Sequence, residues 1–499
     1  MNDEMDIFWD MKIPMRDGVD LSSDIYGLSK AKKKPAILLR TPYGKTTDPI
    51  VSTGKFFASR GYVFISCDVR GRGDSDGIFE PYRSEGKDGF DAIQWIAKQP
   101  WSDGSVATWG ASYSGRIQWY TAVLQPPALK AMISVVPPSD PFVEESEDLA
   151  VKLRDHIKSN IPEVSHGMTV LVAKDNKKLF FESYGKIDEL HFTYTNDTVY
   201  DLASLTKPLA TSTLAFKLID SGKLSMEDTP SSLGLFSGMD NLGKLSVKAL
   251  LSHTSGLTPS LPLYRRGKTR EAYLAGINDA AASASPYTEE NYSDLNYILM
   301  GYIIEEITGK TLDKAWESMV ARQLGLKHIG FLPKVAREKI APTESDRSRG
   351  QVWGEVHDEN SFYSGGVAGH AGLFSDASDI FSFASKYIQG KIISRSSFLK
   401  ATRPANEYIG GSFGYGWMIN TPRPTRQSPA FDYARFIGDI APFGAFGHTG
   451  FTGTSIMIDP VSSVLVIILS NRVYPSRENV KILRFRRTFH NLVFSSLLT

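Results

Sequence analysis

The chain has 499 residues, 41% of them hydrophobic and 22% charged, and its 56 basic and 55 acidic residues leave a formal net charge of +1. This length exceeds one ordinary hydrophobic core, so the composition predicts a globular protein of two or more domains. The charge balance gives no overall field to attract nucleic acid or an anionic membrane. The single cysteine, Cys67, excludes an internal disulfide and a multi-thiolate metal site.

The sequence also carries information on the cellular compartment. Residues 1–5 are acidic and contain no hydrophobic stretch, so we expect no secretory signal. No apolar run is long enough to cross a bilayer. We therefore predict a cytoplasmic protein with no nucleic-acid or membrane partner.

Strand-like runs alternate with helical ones in the first part of the chain, residues 1–142. The predicted strands are residues 36–40, 62–67, 106–109 and 131–136, and the predicted helices are residues 54–60, 85–99 and 116–124. Such alternation is typical of parallel α/β structure. The segment Gly110-Ala-Ser-Tyr-Ser-Gly115 lies between the third strand and the third helix, which is the setting of a nucleophile elbow.

Five blocks in this part form a specific pattern: Ile13-Pro-Met-Arg-Asp-Gly18, Arg40-Thr-Pro-Tyr-Gly-Lys45, Asp68-Val-Arg-Gly-Arg-Gly-Asp-Ser-Asp-Gly77, Gln99-Pro-Trp-Ser-Asp-Gly104 and Gly110-x-Ser-Tyr-x-Gly115. The pattern resembles the cocaine esterase and X-prolyl dipeptidyl peptidase family of α/β-hydrolases. The resemblance implies that Ser112 is a nucleophile. It also implies oxyanion donors at the Tyr43 hydroxyl and the Tyr113 backbone N–H.

This part of the chain departs from that family in one essential respect. A serine of this kind needs a histidine base oriented by a carboxylate. The first histidine of the chain is His156, and the resemblance ends at about residue 142. We therefore interpret residues 1–142 as a truncated α/β-hydrolase segment. Ser112 is then either a scaffold remnant or a vestigial second site whose base comes from another chain or from the second domain.

The second part, residues 143–499, has strands near both ends and a helical middle. An acidic linker is predicted at residues 144–148. The predicted elements are a helix at 148–160, strands at 168–173 and 178–184, mostly helical sequence over 205–400, strands at 455–458 and 464–469, and a closing helix at 478–495. This order predicts an antiparallel sheet assembled from both ends, packed by helices, with an inserted helical subdomain. The run of residues 484–487 contains three arginines and is interpreted as the solvated face of the closing helix.

A serine and a lysine three residues apart, Ser204 and Lys207, stand at the head of a predicted helix over residues 208–220. A spacing of three places both side chains on one helical face. The serine hydroxyl then has an amine beside it, and the helix N-terminus favours developing negative charge. The pair alone also fits a helix-capping serine and a solvated lysine.

Two further motifs stand at the starts of other predicted elements. Asn291-Tyr-Ser-Asp294 precedes an apolar helix, and Gly447-His-Thr-Gly450 precedes a strand. Together with Ser204 and Lys207 they resemble the signature elements of class C β-lactamase-related serine hydrolases. That family includes penicillin-binding proteins, D-stereospecific peptidases and β-lactamase-like carboxylesterases. The resemblance covers essentially all of residues 143–499.

The resemblance implies a role for each motif residue. Ser204 is the nucleophile and Lys207 tunes it. Tyr292 is the general base, and the lysine cation favours its phenolate. The oxyanion hole consists of the backbone N–H groups of Ser204 and Phe451.

Four substrate-side positions follow from the same resemblance. Gly450 and Phe451 are expected on an edge strand that flanks the substrate. His448 stands where penicillin-directed members carry lysine, and Asp294 replaces an asparagine that is common in β-lactamases. Both replacements argue against strong binding of a β-lactam carboxylate.

The sequence thus predicts a fold that is α/β in its first part and α+β in its second, where it is β-lactamase/transpeptidase-like. The predicted function is hydrolysis of small carboxylic esters through an acyl-Ser204 intermediate, without a cofactor or metal. A D-stereospecific peptidase, or a weak β-lactamase or penicillin-binding protein, is the alternative within this class. A non-catalytic binding or assembly protein is the alternative of another class. We also predict a homodimer, because residues 131–136 form an apolar strand that truncation leaves at a sheet edge.

Overall fold

The structure is a computed structural model that describes residues 7–29, 32–135, 141–422 and 433–497. The chain divides into two compact units, an N-terminal unit of Met1–Glu145 and a C-terminal unit of Ser146–Thr499. None of the helices in the described residues is both long and apolar enough to cross a membrane.

The N-terminal unit contains a six-stranded sheet. Its strands are β1 (Ile7–Pro14), β2 (Asp20–Tyr26), β3 (Lys34–Thr41), β4 (Val63–Asp68), β5 (Ser102–Ala111) and β6 (Leu129–Val135), and its helices are α1 (Asp48–Ala58), α2 (Glu85–Ala97) and α3 (Tyr113–Val123). The spatial order is β1-β2-β4-β3-β5-β6. The pairs from β4 to β6 are parallel, which confirms the predicted α/β structure, whereas β1 and β2 pair antiparallel and were not predicted.

Helices cover both faces of this sheet, and the side-chain alternation of the strands explains why. Leu38 and Ile65 pack in one buried cluster with Ile93 of α2. Their neighbours Leu39 and Phe64 pack in a second cluster, which contains Ala58 of α1. A parallel strand buried on both faces needs apolar residues at successive positions, and all six residues of β4 are buried.

The C-terminal unit is built on a larger, antiparallel sheet. Its strands are β7 (Gly167–Lys174), β8 (Lys177–Ile187), β9 (Phe192–Thr193), β10 (Tyr200–Asp201), β11 (Gly330–Phe331), β12 (Ser345–Asp346), β13 (Gly350–Gln351), β14 (Leu373–Ser375), β15 (Met418–Ile419), β16 (Phe446–Thr449), β17 (Ser455–Asp459) and β18 (Val464–Ser470). Seven of these strands form one sheet in the order β15-β16-β17-β18-β7-β8-β9. Because β18 pairs with β7, the predicted assembly of the sheet from both ends of this part is confirmed.

Helices and helical turns fill the sequence between those strands. They are α4 (Pro141–Lys158), which crosses the boundary between the units, α5 (Thr213–Asp220), α6 (Val247–Leu251), α7 (Arg270–Ala281), α8 (Asp294–Thr308), α9 (Leu312–Trp316), α10 (Arg322–Leu324), α11 (Glu359–Tyr363), α12 (Ala377–Ile388), α13 (Arg395–Ala401) and α14 (Ile482–Leu497). Residues 144–148, which were predicted as a linker, lie inside α4 and include the boundary between the two units at Glu145 and Ser146. Charged residues are compatible with the helix that continues through them.

The sheet of the C-terminal unit separates two cores. Leu171 and Ile467 face the larger one, which includes Phe383 of α12. The adjacent residues Val172 and Ile468 face the smaller core, which includes α14. Helix α14 therefore packs against one face of the sheet. The turn between β16 and β17 joins two neighbouring strands of the same sheet.

Candidate active site

Ser204 lies in a tightly wound segment that follows β10. Residues Ala203–Leu205 form one 3₁₀ turn, Lys207–Ser212 form a π-helical turn, and α5 follows. Ala203 has a φ of 47°, a strained conformation for a residue with a side chain. Its N–H donates to Asp201 Oδ1 at 2.8 Å, and its carbonyl accepts from Thr206 Oγ1 at 2.6 Å. These bonds hold Ser204 partly exposed at the head of a buried helical segment.

Lys207 is fully buried, and its ammonium group reaches three acceptors. Its Nζ donates to Ser204 Oγ at 2.9 Å and to the His370 carbonyl at 3.3 Å, and it lies 2.7 Å from Asp294 Oδ1. Burial by itself lowers the pKa of this group, but Asp294 and Tyr292 outweigh burial and raise it above its usual value. Lys207 is therefore a charged lysine within hydrogen-bond distance of the serine.

Tyr292 completes this arrangement. Its phenol is hydrogen-bonded to Lys207 and to Ser204, and Lys207 Nζ lies 4.8 Å from the centre of the ring. Burial raises the pKa of the phenol, Lys207 lowers it and Asp294 raises it, and the net direction is upward. Lys207 therefore favours the phenolate, as predicted from the sequence, but burial has the larger and opposite effect on this pKa. At rest Tyr292 is a neutral phenol.

The protonation states of Lys207 and Tyr292 determine when Ser204 can be activated. Lys207 and Tyr292 both hold their protons at neutral pH, because the pKa of each lies above its ordinary value. A base for the Ser204 hydroxyl appears only when this coupled pair loses one proton. The arrangement can then activate the serine for attack on a carbonyl carbon.

His448 lies on β16 and is completely buried. Its Nδ1 lies 2.8 Å from the Thr449 carbonyl, so Nδ1 carries the proton and donates to it. Burial, and then the charge of Lys207, lowers the pKa of the imidazole to about 3. The ring centre lies 6.0 Å from that of Tyr292. The imidazole beside the Tyr292 ring is therefore neutral.

Gly450 and Phe451 lie in the connection between β16 and β17, not on the edge strand where they were expected. The strand ends because Gly450 N–H donates to the Thr454 carbonyl and closes a tight turn. A side chain at Gly450 would meet the Leu202 carbonyl at 2.4 Å, so this position requires glycine. Thr454 Oγ1 donates to the same carbonyl at 3.0 Å, and Thr452 Oγ1 donates to the Asp201 carbonyl at 2.8 Å. The turn is therefore fastened to the segment that leads into Ser204.

Phe451 presents the backbone group that the oxyanion role needs. Among the residues that the structure describes, the Phe451 N–H donates no backbone hydrogen bond. Its side chain is 49% exposed and its ring stacks on His357, with ring centres 5.7 Å apart. An unused N–H on a fastened turn near a serine is suited to receive a developing oxyanion.

Ser112 keeps the backbone of a nucleophile elbow in the N-terminal unit. Its φ of 52° and ψ of −124° are strained for serine, and it stands exposed at the start of α3. Tyr113 is buried and its hydroxyl donates to Glu85 Oε1 at 2.9 Å, while Tyr43 is 62% exposed. This unit contains no histidine in its sequence. The elbow geometry is present, but the unit offers no imidazole base.

One group of side chains has the composition of a metal site: His328, Asp376 and Asp379. Its contacts are already satisfied within the chain. Asp379 Oδ2 accepts three backbone N–H groups, and Asp376 caps α12 while contacting His328 Nδ1. This cluster therefore joins a loop to a helix, which is a structural role.

Arg486 of α14 is a residue whose placement the sequence argument got wrong. It was assigned to a solvated helix face, but it is only 2% exposed and its guanidinium bonds to the turn that carries Phe451. Helical periodicity could have found it, because Arg486 is four residues after Ile482 and three before Phe489, which are both buried. The high charge of the local sequence concealed that signal.

Comparison with known proteins gives one family-model match in each part of the chain. Residues 157–488 match the beta-lactamase family model, and residues 17–155 match the model of the X-Pro dipeptidyl-peptidase (S15) family. A protein of Escherichia coli O157:H7 named "Putative D-alanyl-D-alanine carboxypeptidase" is 32% identical over 351 residues, which cover 61% of this chain and 78% of that protein. A protein of the same name from Salmonella agona (strain SL483) is 31% identical over 374 residues, covering 66% and 83%.

Solved structures share the fold. EstCE1, described as "a hydrolase with promiscuous acyltransferase activity", superposes with a TM-score of 0.55 at 22% identity, over 70% of this chain and 99% of that one. The family match covers more than half of the chain and agrees with the predicted motifs. The chain therefore belongs to the beta-lactamase family of serine hydrolases, and its N-terminal segment is similar to the X-Pro dipeptidyl-peptidase (S15) family.

Proposed function

We propose that the protein hydrolyses small, uncharged carboxylic esters through an acyl intermediate on Ser204. The observation that carries this proposal is the contact of Lys207 Nζ with Ser204 Oγ at 2.9 Å, with Tyr292 hydrogen-bonded to both. A serine, an amine and a phenol in mutual contact have the geometry needed to move the hydroxyl proton during acyl transfer.

The proposed reaction starts from the form of the site that has lost one proton. Tyr292, as phenolate beside the Lys207 ammonium, accepts the Ser204 proton while Oγ attacks the ester carbonyl carbon. The negative charge on the carbonyl oxygen is received by the N–H groups of Ser204 and Phe451. Tyr292 then returns the proton to the departing alkoxide. Water cleaves the acyl-serine by the same steps in reverse order and releases the acid.

The charges around Ser204 support a neutral substrate. The Lys207 cation is paired with the Asp294 carboxylate, and His448 is uncharged. A substrate carboxylate would therefore meet neither a free lysine nor an imidazolium among these groups. An uncharged ester needs no such partner, and its leaving alkoxide needs only the proton from Tyr292.

A D-alanyl-D-alanine carboxypeptidase is the second candidate function. The names of the Escherichia coli and Salmonella relatives favour it. Such a substrate ends in a carboxylate, which the pairing of Lys207 with Asp294 does not favour. The relatives and the local charges thus point to different substrates of the same acyl-serine chemistry.

One comparison separates these candidates. Purified protein is given p-nitrophenyl acetate and, separately, diacetyl-L-Lys-D-Ala-D-Ala, and release of nitrophenol and of D-alanine is measured. Ser204→Ala is the negative control for each substrate. Hydrolysis of the ester at a much higher kcat/KM supports the esterase proposal, and a preference for the peptide supports the carboxypeptidase. Failure of both substrates, with no acyl or phosphonyl adduct at Ser204 by intact mass, would support a non-catalytic protein.

A further inference from the structure

We propose that Arg486, together with Arg472, is a positioning residue that aims the Phe451 N–H at the substrate oxyanion. This inference rests on the proposed acyl-serine function and extends it to two arginines outside the motif residues.

Arg486 is a buried cation whose hydrogen bonds go to backbone carbonyls. Its Nη2 donates to the Thr454 carbonyl at 2.7 Å and to the Gly450 carbonyl at 3.2 Å. No carboxylate among the described residues forms an ion pair with it. Burial, and then the nearby charge of Arg472, lowers the pKa of its guanidinium to about 9. A charge buried without an anion is costly, so the fold alone gives little reason to keep it.

The geometry of one peptide bond links Arg486 to the oxyanion position. The Gly450 carbonyl and the Phe451 N–H belong to the same peptide group. That group is trans, because the only cis bonds in the described residues precede Pro162 and Pro475. In a planar trans peptide the C=O and N–H point in opposite directions. The Gly450 carbonyl accepts from Arg486 and also from the Gly453 N–H at 3.1 Å. With the carbonyl held by these donors, the Phe451 N–H is directed to the opposite side.

Arg472 fixes the following peptide group in the same way. Its Nε donates to the Phe451 carbonyl at 2.8 Å, and its Nη1 donates to the carbonyls of Arg477 and Asn479 at 2.6 and 2.7 Å. The guanidinium carbon lies 4.3 Å from the centre of the Phe451 ring. Arginines therefore anchor the peptide groups on both sides of Phe451, and neither peptide can rotate freely.

The two anchors also act electrostatically. A charged donor on the Gly450 carbonyl polarises the whole peptide group and makes the Phe451 N–H a stronger donor. The charge is buried, so solvent screens it weakly. The effect is largest when the carbonyl oxygen of the substrate becomes negative. The two arginines should therefore stabilise the transition state more than the bound substrate.

The test uses Arg486→Gln and Arg486→Lys in the full-length protein. Arg484→Gln is the matched control, because Arg484 is on the same helix but exposed. We expect Arg486→Gln to lower kcat for p-nitrophenyl acetate by roughly ten- to a hundredfold, with KM changed less than about threefold. Arg486→Lys should recover part of the loss, and the Arg484 control should match the wild type.

A second readout distinguishes positioning from a purely structural role. An alkyl boronic acid forms a tetrahedral adduct with an active serine and uses the oxyanion hole, whereas the free carboxylic acid product does not form that adduct. Arg486→Gln should weaken boronic acid binding in proportion to the loss in kcat and leave product inhibition unchanged. Circular dichroism and thermal unfolding establish that each variant is folded.

Three results would overturn the inference. They are an unchanged kcat in folded Arg486→Gln, an equal loss in the Arg484 control, and parallel losses for boronic acid and product. If Arg486→Gln does not fold, Arg486→Lys and Arg472→Gln give the same comparison. If the wild type turns over no ester, the proposed function fails. The inference is then decided by the rate of fluorophosphonate labelling of Ser204, and absence of labelling also overturns it.

Discussion

Replacing Asp294 by asparagine removes the carboxylate that lies 2.7 Å from Lys207 Nζ. This carboxylate raises the pKa of both Lys207 and Tyr292, because it stabilises their protonated forms. The proposed reaction requires the pair to have lost one proton. In the wild type the active form is therefore scarce at neutral pH, and kcat/KM should rise tenfold per pH unit through pH 7–9.

The size of the effect follows from the geometry. Two unit charges 2.7 Å apart attract each other by about 6 kcal/mol at an effective dielectric constant of about 20. The Asp294 side chain is 24% exposed, so solvent screening leaves about a third of this energy, roughly 2 kcal/mol. Since 1.4 kcal/mol is a factor of ten, Asp294→Asn should raise the active fraction at pH 7 by roughly thirtyfold. The rise of activity with pH should move to lower pH.

The assay measures kcat/KM for an aliphatic ester between pH 6 and pH 10 by monitoring the release of the carboxylic acid. The acid product does not titrate in this pH range, so its own ionisation does not distort the profile. Asp188→Asn is the control, because that carboxylate is 73% exposed and forms its ion pair with Lys186. The control profile should coincide with the wild type. A profile for Asp294→Asn that is unchanged, or displaced to higher pH, would refute the assignment of a deprotonated Lys207–Tyr292 pair as the base.

Three other predictions concern the two serines, the catalytic pair and assembly. Ser204→Ala should abolish ester hydrolysis, measured with p-nitrophenyl acetate, whereas Ser112→Ala should leave most of it; the reverse result would exchange their roles. Lys207→Ala and Tyr292→Phe should each cost a few orders of magnitude and about as much as both together, because they act as a unit, and near-additive losses would contradict this. The β6 strand is the edge of its sheet, so we predict a dimer by light scattering that Ile133→Lys converts to a monomer. A monomeric wild type would show that this edge does not pair.

Local features of the site could be predicted from the sequence. The spacing of Ser204 and Lys207 places them on one side of a helical turn in any helix, and their atoms are indeed within 2.9 Å. The apolar residues at successive positions of β3 and β4 indicate that both faces of the first sheet are covered, as the helices confirm. The order of strands around a helical middle predicted a sheet assembled from both ends of this part, and the pairing of β7 with β18 confirms it.

The tertiary structure decided everything that depends on burial. Lys207 and Asp294 are far apart in sequence, and only the packing of α8 beside the Ser204 segment brings their charges together. Burial is the largest cause of the raised pKa of Tyr292 and of the lowered pKa of His448. The spacing of residues along the chain does not show how deeply a ring is buried. Arg486 looked like a surface residue for the same reason. A sequence places chemical groups along an element, but the free energy of a charge depends on the solvent that the assembled fold excludes.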